Sequence, residues 1–253
     1  MRCPVCDHDA SAPRCAKCRK PIPEHTPGPV LRLSDVAVDY GNGNAAVHAL
    51  QGIDLSVERG EVVLVVGPSG GGKTTALLVM GLLLTPTSGS VHVCGHDAGQ
   101  LSERQRAELR LTRLGYLFQD YNLLHSLTSI ENVALPLRYA GVRKPAAIAR
   151  AGLLLQELGL GHRVDHRPAA LSGGEKQRVA AARALAMAPE VILADEPTAN
   201  LDSATGKNVS RQLATAAKAQ GSAVVIVTHD ARLEDIADRV LHLEDGRLLA
   251  AAV

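Results

Sequence analysis

The sequence predicts an α/β protein in which a mostly antiparallel β region comes first and a parallel sheet with helical crossovers follows. Three observations carry this. Between Val30 and Val66 apolar residues alternate with polar ones or run together over short stretches, as strands do. Beyond Gly67, short apolar runs alternate with longer helical patterns, which is what parallel strands joined by crossovers require. The chain has 253 residues, 46% of them hydrophobic, enough to bury a sizeable core in one large or two small domains.

In chain order, residues 1–19 hold four of the five cysteines, as two C-x-x-C pairs: Cys3-Pro4-Val5-Cys6 and Cys15-Ala16-Lys17-Cys18. So short a segment has no core of its own, and four thiolates around one zinc ion would hold it together. We therefore expect a structural zinc knuckle on Cys3, Cys6, Cys15 and Cys18. A redox dithiol would need a strand–helix unit around it, which is not written here; a disordered tail is the remaining reading. Residues 20–29, with Pro21, Pro23, Pro27, Gly28 and Pro29, read as an extended linker. The main domain is expected over 30–250.

Within that domain, strands are expected at 30–33, 36–40, 53–57 and 62–66, a helix from 73 to about 83, and a strand at 90–93. Ser102 opens a helix running to about 113, and 114–118 is the next buried strand. Residues 120–170 are largely helical, with an Ala/Leu-rich helix over 145–158 ending at Gly159. A helix follows from about 173 to 188, then strand 191–194, helix 203–220, strand 223–228 as the last parallel strand, and a small terminal hairpin around Asp245-Gly246. Cys94, outside the cysteine cluster, reads as a small buried apolar residue.

The strongest chemical signal is Gly67-Pro68-Ser69-Gly70-Gly71-Gly72-Lys73-Thr74-Thr75, placed directly after a strand and before a helix. It fills the phosphate-loop template G-x-x-x-x-G-K-[ST]. Its glycines let backbone N–H groups turn inward around phosphate oxygens, and the helix N-terminus adds the positive end of its dipole. Lys73 would reach the β- and γ-phosphates of a nucleotide, and the Thr74 hydroxyl would ligate Mg²⁺. Such a loop needs an acidic strand end to hold the metal. Val191-Ile192-Leu193-Ala194-Asp195-Glu196 supplies one. Asp195 would hold Mg²⁺, and Glu196 would act as general base toward the attacking water.

With Leu171-Ser172-Gly173-Gly174-Glu175-Lys176-Gln177-Arg178 added, the chain resembles the ATP-binding cassette (ABC) ATPases, although Gln is more usual in that family where Glu175 stands. The resemblance runs from Leu31 to about Leu249. It implies a P-loop NTPase fold with an antiparallel β subdomain, a RecA-like parallel core and an inserted helical subdomain at about 120–170. It further implies adenine stacking on Tyr40, metal or water contact by Gln119, and γ-phosphate contact by His229. Asp202, in the loop Ala199-Asn200-Leu201-Asp202, belongs to the nucleotide site on the same grounds. Ser172, Gly173, Gly174 and Glu175 would serve the nucleotide of a second copy in a head-to-tail dimer that buries two ATP molecules, the second copy being this chain or a paralogue.

The segments 115–124 and 127–137 resemble the lipoprotein-release, macrolide-export and cell-division branch of that family. That resemblance implies that this chain drives separate membrane permease subunits from the inner face of the cell membrane. The zinc knuckle departs from the family pattern. A soluble ATPase acting on ribosomes or nucleic acid through that knuckle is the alternative. The charge balance, 27 Lys+Arg against 26 Asp+Glu, disfavours nucleic-acid binding, which needs a basic surplus. The apolar stretch 76–84 is far short of the roughly 20 residues that cross a bilayer. No apolar run follows Met1-Arg2-Cys3-Pro4, so a cytosolic protein is expected.

Overall fold

The computed structural model describes Cys3, Cys15 and residues 28–41 and 47–249. Most of the knuckle and linker expected over 1–29 therefore lies outside the described residues.

The antiparallel sheet comprises β1 (Leu31–Tyr40), β2 (Val47–Val57), β4 (Ser88–Val93) and β5 (His96–Asp97), in the order β2-β1-β4-β5. The two strands expected at 30–33 and 36–40 are one. A register shift between Leu33 and Val36, with Asp35 at φ 50°, forms a bulge that resets which residues face inward. Leu31 and Leu33 are buried before it, and Val36 and Val38 after it. That change of parity in the alternation made one strand look like two.

The second sheet has the order β10-β9-β3-β8-β7-β6. Its strands are β3 (Val62–Val66), β6 (Leu114–Leu117), β7 (Val191–Asp195), β8 (Ala223–Thr228), β9 (Arg239–Glu244) and β10 (Arg247–Leu249). Here the structure corrects the sequence: β8 is not the last parallel strand. β9 pairs in parallel with β3, Val63 opposite Arg239, and only β10 is antiparallel, closing a hairpin onto β9. The sequence RVLHLE is only half-buried and lacks the continuous apolar run of an inner strand.

Both faces of this sheet are covered. On one, Leu64, Ile192, Ala194, Val224 and Ile226 pack with residues of α3 (Ser129–Tyr139), α4 (Lys144–Glu157), α5 (Gly173–Leu185) and α6 (Ser203–Ala219). On the other, Val63, Val65, Leu193, Val225 and Val227 pack with α1 (Lys73–Met80) and the antiparallel sheet. α2 (Glu103–Arg113) leads into β6.

Caps fix where several helices begin. α2, α3 and α5 each start with a reciprocal capping box: Ser102 with Gln105, Thr128 with Glu131, and Ser172 with Glu175. Parallel register then sets the site. Val66 lies opposite Thr228 and Asp195 opposite Val227, so the C-terminal ends of β3, β8 and β7 lie side by side.

Candidate active site

The loop after β3 is shaped by close packing. A Cβ at Gly67 would lie 1.9 Å from the Leu243 carbonyl oxygen, and one at Gly72, which has φ 97°, would lie 2.4 Å from that of Ala49. Neither position admits a side chain. Gly72 is the N-cap of α1 and offers no side-chain hydrogen bond, so the first-turn N–H groups of this helix are left for an anion. Lys73 is buried, and its Nζ donates to the carbonyls of Gly67 and Pro68, both at 2.8 Å. The same Nζ lies 3.9 Å from Glu196 Oε1. The cation is thus held across the mouth of the loop.

Asp195 ends β7, with the Thr74 hydroxyl donating to its Oδ1 at 3.3 Å. Burial pushes its carboxyl above the usual carboxylate range, opposed in part by the Thr74 bond. A hydroxyl beside a carboxylate that is costly to ionise is an all-oxygen donor pair suited to a small hard cation such as Mg²⁺. Glu196, at φ 44°, turns the chain off the strand. Its Oε2 accepts from the Thr228 hydroxyl at 2.9 Å and from the His229 N–H at 3.3 Å, with His229 Nδ1 3.0 Å away. Its Oε1 faces Lys73.

The structure brings Lys73, Thr74, Asp195, Glu196 and His229 together at adjacent strand ends. It adds Thr228, which sequence reasoning passed over. Thr228 is fully buried, donates to Glu196 and accepts from the Asp230 N–H at 3.0 Å. Its only signal was its place before His229 at the end of an apolar strand.

Other candidates stand apart. Among the described residues no hydrogen bond or ion pair joins Ser172, Gly173, Gly174 or Glu175 to the 67–75 loop. Ser172 caps α5, and Gly174 is packed so closely that a Cβ would lie 2.7 Å from Thr205. Buried Gln177 in α5 donates to the Pro197 carbonyl at 2.8 Å, tying this helix to the chain just beyond Glu196. Asp202 caps α6, its side chain accepting from the Thr205 N–H at 3.0 Å. Gln119 is exposed just beyond β6, and its carbonyl accepts from Asn200 at 2.9 Å. Tyr40 is half exposed at the end of β1, clear of these contacts.

Of the four cysteines expected to bind zinc, Cys3 and Cys15 are buried, whereas Cys6 and Cys18 lie outside the described residues. Among the described residues, no cluster of three or more His, Cys, Asp or Glu side chains is placed to hold a metal ion, and no helix is long and apolar enough to cross a membrane.

Comparison with known proteins matches this geometry. A family model described as ABC transporter matches residues 50–199. The chain is 46% identical over 223 residues to the lipoprotein-releasing system ATP-binding protein LolD of Shewanella frigidimarina, covering 88% of this chain and 93% of that protein. It is also 46% identical over 222 residues to the macrolide export ATP-binding/permease protein MacB 1 of Aeromonas hydrophila, covering 88% of this chain but 34% of that longer protein. A solved dimeric post-hydrolysis structure of the ATP-binding cassette MJ0796, bound to ADP and Pi, superposes with a TM-score of 0.79 at 36% identity, covering 88% of this chain and 99% of that one. With the phosphate loop, the acidic strand end and the histidine converging as they do, the chain belongs to the ABC transporter family and is an ATP-binding, ATP-hydrolysing subunit of it.

Proposed function

We propose that this subunit works as a head-to-tail dimer beneath separate membrane permease subunits of the lipoprotein-release and macrolide-export branch, peripheral to the inner face of the cell membrane. The observation that carries the catalytic half is the assembly of Lys73, Thr74, Asp195, Glu196 and His229 at adjacent strand ends. Gly67 to Thr75 wrap the phosphates. Lys73 exchanges its bonds to the Gly67 and Pro68 carbonyls for bonds to β- and γ-phosphate oxygens. Thr74 and Asp195, with Gln119 just beyond β6, would hold Mg²⁺, which would supply positive charge beside the phosphate oxygens. Glu196 has its Oε2 occupied by Thr228 and His229, which leaves Oε1 to take the proton of the attacking water. His229 steadies that carboxylate and is placed to reach the γ-phosphate. Attack in line with the departing ADP gives ADP and phosphate.

Ser172, Gly173 and Gly174 present a helix N-terminus that their own chain leaves unused for phosphate, which supports pairing with a second copy. For the permease, a groove of about 500 Å³ opens between α2, β6 and α3. Leu83 and Tyr139, exposed at its rim, and Pro136 and Phe118 in its lining suit an apolar helical segment. Phe118 directly precedes Gln119, so an occupant would bear on the segment linking nucleotide and helices. We place the helical subdomain at about 120–170 within a domain at 30–250, the linker at 20–29, and a zinc knuckle on Cys3, Cys6, Cys15 and Cys18 at 1–19. About one zinc per purified chain supports the knuckle, and none removes it. The nucleic-acid alternative gains no support from the relatives or from a net charge of +1.

The testing variant is Glu196→Gln. It should bind ATP, lose about a thousandfold or more in turnover, and become a dimer with ATP in size-exclusion chromatography. Full turnover by the variant would overturn the role of Glu196. Co-purification of the wild type from detergent with rRNA, and not with a membrane subunit, would overturn the permease partner.

A further inference from the structure

Three helices here begin with the same reciprocal box, yet only that of α5 has a cation bonded to the box's own carboxylate among the described residues. In α2 the residue completing the box is neutral Gln105, whose Oε1 accepts from the Ser102 N–H at 2.9 Å. In α3 it is Glu131, which bonds only within its box with Thr128. In α5 it is Glu175. Its Oε2 accepts from the Ser172 N–H at 2.8 Å, and its Oε1 accepts from Arg163 Nε, also at 2.8 Å. The α2 box shows that capping needs neither a charge at this position nor an arginine beside it.

Arg163 is itself held in place. It lies in a short 3₁₀ turn, Gly161–Arg163, where its N–H donates to the Leu160 carbonyl at 2.9 Å and its carbonyl accepts from the His166 N–H at 3.1 Å. Its Nη1 lies 3.2 Å from His166 Nε2. The His166 carbonyl in turn accepts from the Ser129 N–H at 2.8 Å and hydroxyl at 3.0 Å. The guanidinium is therefore anchored through His166 to the first turn of α3. Glu175 is the only acidic residue in the first turn of α5, and its side chain is 13% exposed.

We propose that Arg163 is a positioning residue for nucleotide-driven dimer closure: it turns the Glu175 carboxylate aside and cancels its charge at the helix end that receives the partner's γ-phosphate. This rests on the head-to-tail reading given above. An uncompensated carboxylate at that helix end would oppose the field that makes it an anion site. Repulsion between it and a phosphate crossing a partly solvated gap would weaken closure without touching the pocket at Lys73.

The test measures the ATP concentration that gives half-maximal dimer in the Glu196→Gln parent, which traps the closed state. Adding Arg163→Gln should raise that concentration about tenfold, the scale of one unit-charge repulsion discounted for partial exposure. Adding Glu175→Gln to that variant should bring it back to within about twofold of the parent, since the charge to be cancelled is gone. Arg163→Lys, which keeps the positive charge on a shorter side chain, should stay near the parent and guards against a folding defect in Arg163→Gln. Two results overturn the inference: no change with Arg163→Gln, or a loss that Glu175→Gln does not rescue, which would make Arg163 a plain tether. If the parent stays monomeric with ATP, the dimer reading falls and this inference with it; if the parent dimerises and Arg163→Gln dimerises equally well, this inference alone falls.

Discussion

The 67–75 loop and the N-terminus of α5 are both suited to phosphate, and they are built by different means. At the loop, residues distant in sequence meet because β3, β7 and β8 are in parallel register, so Lys73, Thr74, Asp195 and Glu196 contact one another within one chain. At α5, Ser172 and Glu175 satisfy each other, Arg163 completes the set, and among the described residues no hydrogen bond or ion pair reaches the loop. Long-range packing has assembled the first site. The second is a surface whose caps are satisfied locally, and on the proposed head-to-tail dimer its ligand comes from the partner copy.

The largest expected effect follows from that contrast. Lys73→Ala should weaken ATP binding by the single chain by about a hundredfold or more, since it removes a buried cation from a phosphate site, as equilibrium dialysis would show. Ser172→Ala should leave that binding within about twofold while lowering turnover about tenfold, the scale of one lost hydrogen bond. Equal losses of binding in the two variants would break the comparison, because α5 would then be serving its own chain's nucleotide.

A smaller effect is expected one step back from the reacting atoms. Thr228→Val keeps the shape of a fully buried side chain but removes the donor to Glu196 Oε2. If Glu196 is the base proposed above, kcat should fall about tenfold with KM for ATP little changed, because the bond orients Glu196 and not the nucleotide. A rise in KM with unchanged kcat would instead place Thr228 in nucleotide binding.

These two regions were unequally legible in the sequence. Strands 62–66 and 223–228 were read to the residue, because short apolar runs rich in β-branched residues and bounded by turns fit a strand buried on both faces of a covered sheet. The loop was legible because its template specifies backbone shape, and glycines at 67 and 72 are demanded by neighbours a Cβ would strike. The parallel pairing of β9 with β3 was missed, and β9 was read only as an arm of the terminal hairpin, because Arg239, His242 and Glu244 break its apolar signal. The bulge at Asp35 split β1 because it shifts the alternation by one. Arg163 and Thr228 escaped for a different reason: each acts through another side chain, and nothing in its own residue type declares the partner.

The finest test uses acid, because the two regions hold their carboxylates in opposite states. Hydrogen bonds from the Ser172 N–H and the Arg163 side chain hold Glu175 down at about 2, from an ordinary value of 4.5. A carboxylate depressed on folding contributes stability that is fully present above the ordinary value and is lost as pH falls through the folded one, here between about 4.5 and 2. Asp195 has the reverse sign: burial raises it, so its ionised form costs stability at neutral pH, and protonation relieves that cost. In the nucleotide-free protein, Glu175→Gln should lower the melting temperature at pH 7 and flatten its fall with acid. Asp195→Asn should raise the melting temperature at pH 7 while abolishing ATPase activity. Thermal melts at pH 7 and pH 3, the latter inside the window over which Glu175 titrates, separate the two. A stabilising Glu175→Gln would show that the α5 carboxylate is costly to ionise like Asp195, erasing the difference between a carboxylate satisfied by hydrogen bonds and one penalised by burial.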